Sequence, residues 1–382
     1  MPTARTPRLS WLLVACACAP PATIVEPPRP AAPAPSSVRA AAPEPGPNVH
    51  MRMVEVAPGI HAALQDEARR FSDSNAAVVV TEAGAVLVDG PQRLVAVDWL
   101  DAWIEAVPSG SRRVLITTHW HLDHSLGGAH WRSSMAARGH SVEHWGHAGL
   151  EALLAERGAE QLAEHIEQLQ QMRRRGTAMQ QRGARDDGTE LTAEQKVQLD
   201  EQLANVDAQL EAVPGLALAA PTDRVTEVTR VELGTVTLEL HPVEAHTDAD
   251  LVVFIPEAGV LITGDVLDEI PYGGHGHPRR WLATLEQLAT LEATTIIPGH
   301  GPLLGPEHVT TMIALWTALL QQAMLAVQQT QTPADRYAAW SKTPEHEALR
   351  EALVTDDVAA RNFDRFIPDA LARAVADIQG EL

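Results

Sequence analysis

Four side chains that can bind a metal ion lie close together in the sequence, immediately after a short apolar run. His119, His121, Asp123 and His124 follow residues 114–118, whose composition is typical of a buried strand. This spacing puts all four side chains on one short loop. Imidazole and carboxylate groups suit zinc, and also iron or manganese. Because one zinc ion cannot use all four side chains without strain, the cluster predicts two metal ions that share this loop.

Three further metal-binding candidates stand at the ends of predicted strands. His246 follows an apolar strand, Asp265 follows the run 260–262, and His300 follows the run 294–297. Each lies beside a glycine or another small residue, which lets the backbone turn close to an ion. A single histidine is more often a packing or surface residue than a ligand, and an aspartate after a strand is often a turn former. The agreement of motif and strand-end context favours ligands at all three positions.

The two cysteines restrict the chemistry further. Cys16 and Cys18 both lie near the N-terminus, so the globular part has no disulfide, no thiol nucleophile and no thiolate ligand. A metal ion in that part has to be held by His, Asp or Glu.

Residues 1–18 have the pattern of an export signal. Arg5 and Arg8 form a positive start, an apolar stretch follows, and residues 13–16 resemble the cleavage box of a bacterial lipoprotein. Cys16 would then carry the lipid, and the Pro/Ala-rich residues 19–50 would form a tether. The alternative is an ordinary cleaved signal in which both cysteines are incidental. Both interpretations predict export from a bacterial cytoplasm, to the periplasm or to a lipid anchor on a membrane.

Charge and hydropathy limit the partners that we expect. The chain of 382 residues carries 29 Lys and Arg against 50 Asp and Glu, a formal net charge of −21. Nucleic-acid binding depends on surplus cations, so we expect no nucleic-acid partner. No apolar run is long enough to span a membrane, which leaves the lipid at Cys16 as the expected membrane contact. The expected partner is a small-molecule substrate.

The remaining pattern predicts one mixed α/β domain over residues 51–382. Apolar runs predict strands at residues 53–56, 76–80, 85–88, 114–118, 224–240, 251–255, 260–262 and 294–297. Helical spacing predicts helices at residues 94–107, 125–138 and 279–291, and a mostly helical C-terminal region over about 306–382.

A polar helical hairpin is predicted over about residues 148–213, between the two β-rich halves. Apolar residues recur at helical spacing in both arms, and residues 192–195 form a capping box that begins the second helix. Such an insertion is expected to act as a lid, a spacer or a dimer arm, or alternatively to pack on the core. The dimer-arm interpretation leaves a homo-oligomer open.

These motifs, in this order, resemble the metallo-β-lactamase superfamily. The resemblance runs from about residue 54 to residue 304 and depends on the histidine loop, the later lone histidine, the Gly-Asp pair and the Gly-His pair. It implies an αββα sandwich with two zinc ions at one edge. The ligands it implies are His119, His121 and His246 for the first zinc, Asp123, His124 and His300 for the second, and Asp265 as the bridge between them.

The resemblance also implies a reaction, in which two dications share a water molecule and ionise it near neutral pH. Asp123 would orient that water and accept its proton. Because Asp265 is present and cysteine is absent from the globular part, the ligand set is similar to that of glyoxalase II and its hydrolase relatives. We therefore expect hydrolysis of a small ester, thioester, lactone or lactam. The alternatives are a mononuclear iron sulfur dioxygenase of the same fold and a metal-binding module without turnover.

The segment after Asp265 supplies the candidate substrate contacts. This glycine-rich stretch would run along the mouth of the site, where Tyr272, His275, His277 and Trp281 could contact the substrate. The alternative is a plain glycine-rich connection that leads into the next helix.

Overall fold

The computed structural model describes residues 43–46 and 48–382 of the chain. The predicted export signal, the lipid site at Cys16 and most of the predicted tether lie outside these described residues. At the start of the described part, the indole N–H of Trp99 donates a hydrogen bond to the carbonyl of Pro43 at 2.9 Å.

The first sheet contains seven strands in chain order. They are β1 (Met51–Ala57), β2 (Ile60–Gln65), β3 (Ala76–Val80), β4 (Gly84–Val88), β5 (Arg112–Thr117), β6 (Glu143–His147) and β7 (Asp223–Val225). Strands β1 to β4 pair antiparallel, whereas β4 to β7 run parallel. Strands β4 and β5 are buried along nearly their whole length, as expected for parallel strands that are covered on both faces.

The second sheet contains five strands in the order β12-β11-β10-β9-β8. They are β8 (Thr229–Leu233), β9 (Val236–Val243), β10 (Asp250–Ile255), β11 (Val260–Gly264) and β12 (Thr295–Pro298). The strand structure predicted over residues 224–240 is present and is divided among β7, β8 and β9. Gly234, with φ 70°, makes the tight turn between β8 and β9. Strand β2 was not predicted, since its sequence lacks a clear alternation.

Helices cover the outer faces of both sheets. The helices are α1 (Leu94–Ala106), α2 (Leu122–Ala137), α6 (Pro278–Leu288), α7 (Pro306–Gln328), α8 (Pro333–Trp340), α9 (Pro344–Leu353) and α10 (Asp357–Gln379). In β3, Val78 packs against α1 and α2, while its neighbour Val79 packs between the sheets against β10. In β10, Val252 in turn packs against α6, α7 and α10. The predicted αββα sandwich is therefore confirmed.

Helix α7 is long and apolar enough to cross a membrane by length and composition alone. It has 23 residues, and 56% of its most apolar window is buried inside the domain. Its buried face includes Trp316 and Leu319, which pack against α6 and α10. These contacts are typical of a core helix, which passes the same length and composition test.

The predicted helical hairpin is present between β6 and β7. It begins with the short helix α3 (Leu150–Leu153) and one π-helical turn (Leu154–Gly158), and its two arms are α4 (Ala159–Arg182) and α5 (Ala193–Ala212). Helix α4 ends at Gly183, whose φ of 64° gives a left-handed C-cap. The predicted capping box begins α5: the Thr192 side chain accepts from the Gln195 backbone N–H, and the Gln195 side chain accepts from the Thr192 backbone N–H.

Candidate metal centre

The centre lies where β5 ends and α2 begins. His119 follows the end of β5, and His121 is the N-cap residue of α2. Asp123 and His124 lie in the first helical turn, because α2 starts at Leu122 and not near residue 125 as predicted. The four side chains of the cluster therefore come from a tight loop and a helix N-terminus, where the helix dipole favours the carboxylate of Asp123.

Three imidazoles converge in the first group of side chains. The Nδ1 atom of His121 lies 3.0 Å from Nε2 of His119 and 3.0 Å from Nε2 of His246. All three rings are buried. Three ring nitrogens that face one another at this distance fit shared coordination of one cation, since they cannot all donate hydrogen bonds to each other.

A second group combines one carboxylate with two imidazoles. Oδ2 of Asp123 lies 3.2 Å from Nε2 of His300 and 3.9 Å from Nε2 of His124. Both histidine side chains are buried, whereas the Asp123 side chain is 24% exposed. The donor atoms of this group lie within 4.8 Å of one another, so they too fit one cation.

Asp265 lies between the two groups and turns one oxygen toward each. Its Oδ2 is 3.4 Å from Nε2 of His246 and 3.7 Å from Nε2 of His119. Its Oδ1 is 2.9 Å from Nε2 of His124 and 3.6 Å from Nε2 of His300. This division of the two oxygens fits a carboxylate that bridges two cations.

Glycines let the strands that carry Asp265 and His300 approach closely. Gly264, with φ 50°, precedes Asp265, and a Cβ atom there would lie 2.5 Å from Oγ1 of Thr118. A Cβ atom at Gly299 would lie 2.0 Å from Oδ1 of Asp265. Neither position can accept a side chain without moving the centre.

Hydrogen bonds outside the centre orient the imidazoles. Nδ1 of His124 lies 2.8 Å from Oδ2 of Asp89, and the Thr118 hydroxyl donates to the same oxygen at 2.7 Å. Because its proton is used in that bond, the Thr118 hydroxyl accepts from Nδ1–H of His119 at 3.0 Å. Nδ1–H of His300 donates to the carbonyl of Arg70 at 3.1 Å. In the neutral form of each of these three histidines, such a bond places the proton on Nδ1 and directs the lone pair of Nε2 into the centre.

The loop that carries His246 is held by one buried carboxylate. Asp250 accepts hydrogen bonds from the backbone N–H of Ala245 at 3.0 Å, the backbone N–H of Thr247 at 2.9 Å and the hydroxyl of Thr247 at 2.6 Å. Burial raises the pKa of Asp250 to about 7, although these hydrogen bonds oppose the shift. Asp250 thus positions the backbone on both sides of His246.

The electrostatic environment differs between the two groups. Burial lowers the pKa of His246 to about 4, and burial together with nearby imidazoles also holds the pKa values of His119 and His121 well below 6.5. Burial acts in the same direction on His300, but the carboxylates of Asp265 and Asp123 outweigh it and raise the pKa of His300 to about 10. The pKa of His124 is likewise raised well above 6.5 by Asp265 and Asp89 against the effect of burial. The first group therefore presents neutral imidazoles at pH 7, while the carboxylates around the second group favour positive charge, on its histidines or on a bound cation.

A cavity of about 230 Å³ opens onto both groups. The side chains of Phe71, Ile270, Tyr272 and Phe366 give it an apolar wall. The cavity is also lined by Ser72, His121, Asp123, Gln161, Asp265, Asp268, His275 and His300. Its mixed apolar and polar lining is typical of a small-molecule site, and its volume, below the usual range of roughly 300–1,000 Å³, suits a small substrate.

Two of the four predicted substrate contacts line this cavity. Tyr272 does so, and His275 lies 2.8 Å from Nε2 of His121 through its own Nδ1. Trp281 does not: it is completely buried, packs on Trp316 and donates its indole N–H to a backbone carbonyl. The prediction of Trp281 at the mouth is wrong, because α6 turns this side chain into the core behind His246. His277 caps α6, bonds to Asp248 at 2.7 Å and lies outside the cavity lining.

Two residues near the centre, Asp89 and Gln161, were not predicted from the sequence as site residues. Asp89 follows β4 and has a φ of 59°, so the Asp-Gly pair after that strand was the available signal. The carboxylate of Asp89 orients His124. Gln161 lies in the inserted hairpin, and nothing in its local sequence distinguishes it from the other glutamines of α4.

The αββα fold is that of a class of enzymes, and the convergent His/Asp groups could hold metal ions. The chain belongs to the metallo-beta-lactamase superfamily, whose family model matches residues 69–300. Members of this superfamily are mostly hydrolases. A comparison with curated proteins finds no match.

Several solved structures are similar to this chain at low sequence identity. A metallo-beta-lactamase from Pontibacter korlensis is 17% identical, with a TM-score of 0.46, over 70% of this chain and 99% of that one. A metallo-beta-lactamase from Erythrobacter litoralis is 16% identical, with a TM-score of 0.46, over 70% of this chain and 97% of that one. The sec-alkylsulfatase Pisa1 from Pseudomonas sp. is 17% identical, with a TM-score of 0.55, over 87% of this chain. The present chain spans about half of that sulfatase, 51% of its length.

Proposed function

We propose that this protein is a zinc-dependent hydrolase that holds two metal ions and cleaves a small ester, thioester, lactone or lactam at its carbonyl carbon. The observation that carries the proposal is the division of the Asp265 oxygens between two groups of imidazoles. We assign His119, His121 and His246 to one ion, and Asp123, His124 and His300 to the other.

Bound zinc would supply Lewis-acid polarisation and lower the pKa of water to about 7. The side chains of the protein orient the water, move the proton and contact the substrate. Asp123, whose carboxylate faces the cavity, orients the attacking water and accepts its proton. The water oxygen forms a bond to the carbonyl carbon, the carbon–oxygen, carbon–sulfur or carbon–nitrogen bond to the leaving group breaks, and the proton on Asp123 passes to the leaving group. The apolar wall of Phe71, Tyr272 and Phe366 packs against the hydrocarbon part of the substrate.

The geometry favours this function over the two alternatives. A mononuclear iron dioxygenase needs one set of ligands, whereas two separate sets can be drawn from the described residues. A binding module without turnover does not need a 230 Å³ cavity that reaches both sets. The ligand chemistry, imidazole and carboxylate without thiolate, suits zinc.

Metal quantification followed by a substrate panel tests the proposal. We expect two zinc ions per chain and turnover of at least one of p-nitrophenyl acetate, an acyl thioester, a lactone and nitrocefin, lost with a chelator and restored by zinc. One iron per chain with oxygen uptake on a persulfide would identify the dioxygenase. Two zinc ions without any turnover would leave a binding module. Cleavage of only a secondary alkyl sulfate, included in the panel, would refute the carbonyl substrate but keep the two metals.

We also propose that the protein is exported and anchored by a lipid on Cys16. The proposal depends on the signal and cleavage-box pattern of residues 1–18. Replacing Cys16 by serine should move the protein from the membrane fraction to the soluble fraction, because no acyl chain can be attached. Cys18→Ser is the matched control and should stay with the membrane. Equal fractionation of both variants and the wild type would contradict lipidation at Cys16.

A further inference from the structure

We propose that Gln161, on the inserted helix α4, donates a hydrogen bond from its side-chain amide to the carbonyl oxygen of the substrate. The inference deepens the proposed hydrolase function and rests on it. Gln161 is half-buried and lines the cavity together with His121 and Asp123. It is the residue through which the hairpin reaches the candidate centre.

One backbone hydrogen bond fixes the orientation of this amide. Oε1 of Gln161 accepts from the backbone N–H of Leu122 at 3.0 Å. Only the oxygen of an amide can accept, so this bond determines which end of the group faces Leu122. The NH₂ group, with two donors, is held on the opposite side of the planar amide. Within residues 43–46 and 48–382, the structure gives that NH₂ group no protein acceptor.

Leu122, whose backbone N–H binds the Gln161 side chain, lies between the two ligand groups in the sequence. Leu122 stands between His121 of the first group and Asp123 of the second. The Gln161 amide lines the same cavity as His121 and Asp123, so a carbonyl bound in that cavity is a candidate acceptor for its NH₂ group. The carboxylates of Asp123 and Asp265 line the same cavity and repel negative charge that develops on the carbonyl oxygen. A neutral donor fixed in advance relieves that repulsion at the point where charge develops.

Packing holds α4 against the body of the protein. Leu162 and Ile166 of α4 pack on Leu122 and Leu126 of α2. On the side of α4 that carries Gln161, His165 and Leu169 follow at helical spacing and are buried. This packing fixes the part of α4 that brings Gln161 into the cavity lining, which is what a preorganised donor requires.

Replacing Gln161 by glutamate separates a donor from a simple cap. The introduced carboxylate would still offer an oxygen to the Leu122 N–H at a helix N-terminus, but it has no N–H to donate. We expect Gln161→Glu to keep two zinc ions per chain and an unchanged melting temperature, while kcat falls about 100-fold. Gln161→Met, which loses both roles, should lower kcat and also the melting temperature. Gln170→Glu, at an exposed position of the same helix, is the matched control and should match the wild type.

A binding measurement keeps this inference distinct from the hydrolase function. Benzoate, a carboxylate with the oxygen atoms of a hydrolysis product, should bind zinc-loaded wild type about 10-fold more tightly than Gln161→Met in calorimetry, because this variant removes the donor without adding a charge that would itself repel benzoate. Wild-type turnover with equal kcat and equal benzoate affinity in Gln161→Met would overturn the donor role and leave the hydrolase intact. Absence of wild-type turnover with Gln161-dependent benzoate binding would overturn the hydrolase and keep the donor. Equal benzoate affinity in both proteins overturns the donor role in every case.

Discussion

Replacing Asp265 by asparagine is expected to reduce hydrolysis at least about 1,000-fold. Each oxygen of Asp265 faces a different group of imidazoles, and asparagine would turn an NH₂ group toward one of them. An NH₂ group cannot coordinate a cation, so bound zinc should fall from two ions to at most one per chain. Loss of about 4 kcal/mol of metal-ion stabilisation in the transition state corresponds to the stated factor. Turnover and metal content are measured on the same preparation.

Two further variants make this result interpretable. His121→Ala removes the ring nitrogen that lies 3.0 Å from both other imidazoles of the first group, and it should reproduce the loss of metal and activity. His140→Ala removes an exposed histidine outside both groups and should leave both unchanged. Asp265→Asn and His121→Ala proteins that are folded, fully metallated and active would exclude the assigned centre.

The position of the centre could be predicted because its residues are coupled to regular structure. His119, Asp265 and His300 each follow a buried strand whose apolar run is visible in the sequence. The ends of strands in one sandwich meet at one edge, so residue type and strand context together locate the groups. The same reasoning identified the hairpin, since helical spacing and a capping box are local signals.

What could not be predicted depends on contacts between distant segments. Gln161 contacts Leu122 across a helix–helix interface, and no local pattern encodes the rotation of α4 that brings it there. Trp281 was placed at the mouth because it follows a glycine-rich stretch, but the rotation of α6 buries it. The segment 224–240 has strand composition throughout, and only the pairing of its parts with two different sheets divides it into β7, β8 and β9.

A buried ion-pair network behind His300 also depends on contacts between segments that are distant in the sequence. Nε of Arg70 donates to Oε2 of Glu269 at 2.7 Å, and Nη2 of Arg70 donates to Asp356 at 2.8 Å. The side chains of Arg70 and Glu269 are only 6% and 4% exposed. The backbone groups of Arg70 and Glu269 also bind His300. The Arg70 carbonyl accepts a hydrogen bond from Nδ1–H of His300, and the Glu269 backbone N–H donates to the His300 carbonyl at 3.2 Å. The network therefore links the start of α10 to the second ligand group.

Replacing Arg70 by methionine should lower the free energy of unfolding by about 3–5 kcal/mol, since Glu269 would remain buried without its partner. Zinc affinity of the second group should fall about 10- to 100-fold as His300 loses its orientation. Urea unfolding and zinc titration measure the two effects.

The double variant Arg70→Met, Glu269→Met removes both charges of the buried Arg70–Glu269 pair, so most of the stability should return while zinc affinity stays reduced. In the matched control, Nε of Arg69 lies 3.9 Å from Oδ2 of Asp66, and both side chains are exposed to solvent. Arg69→Met should therefore change the free energy of unfolding by no more than about 0.5 kcal/mol. A stability loss in Arg70→Met no larger than in Arg69→Met would show that the buried pair does not hold the loop that orients His300.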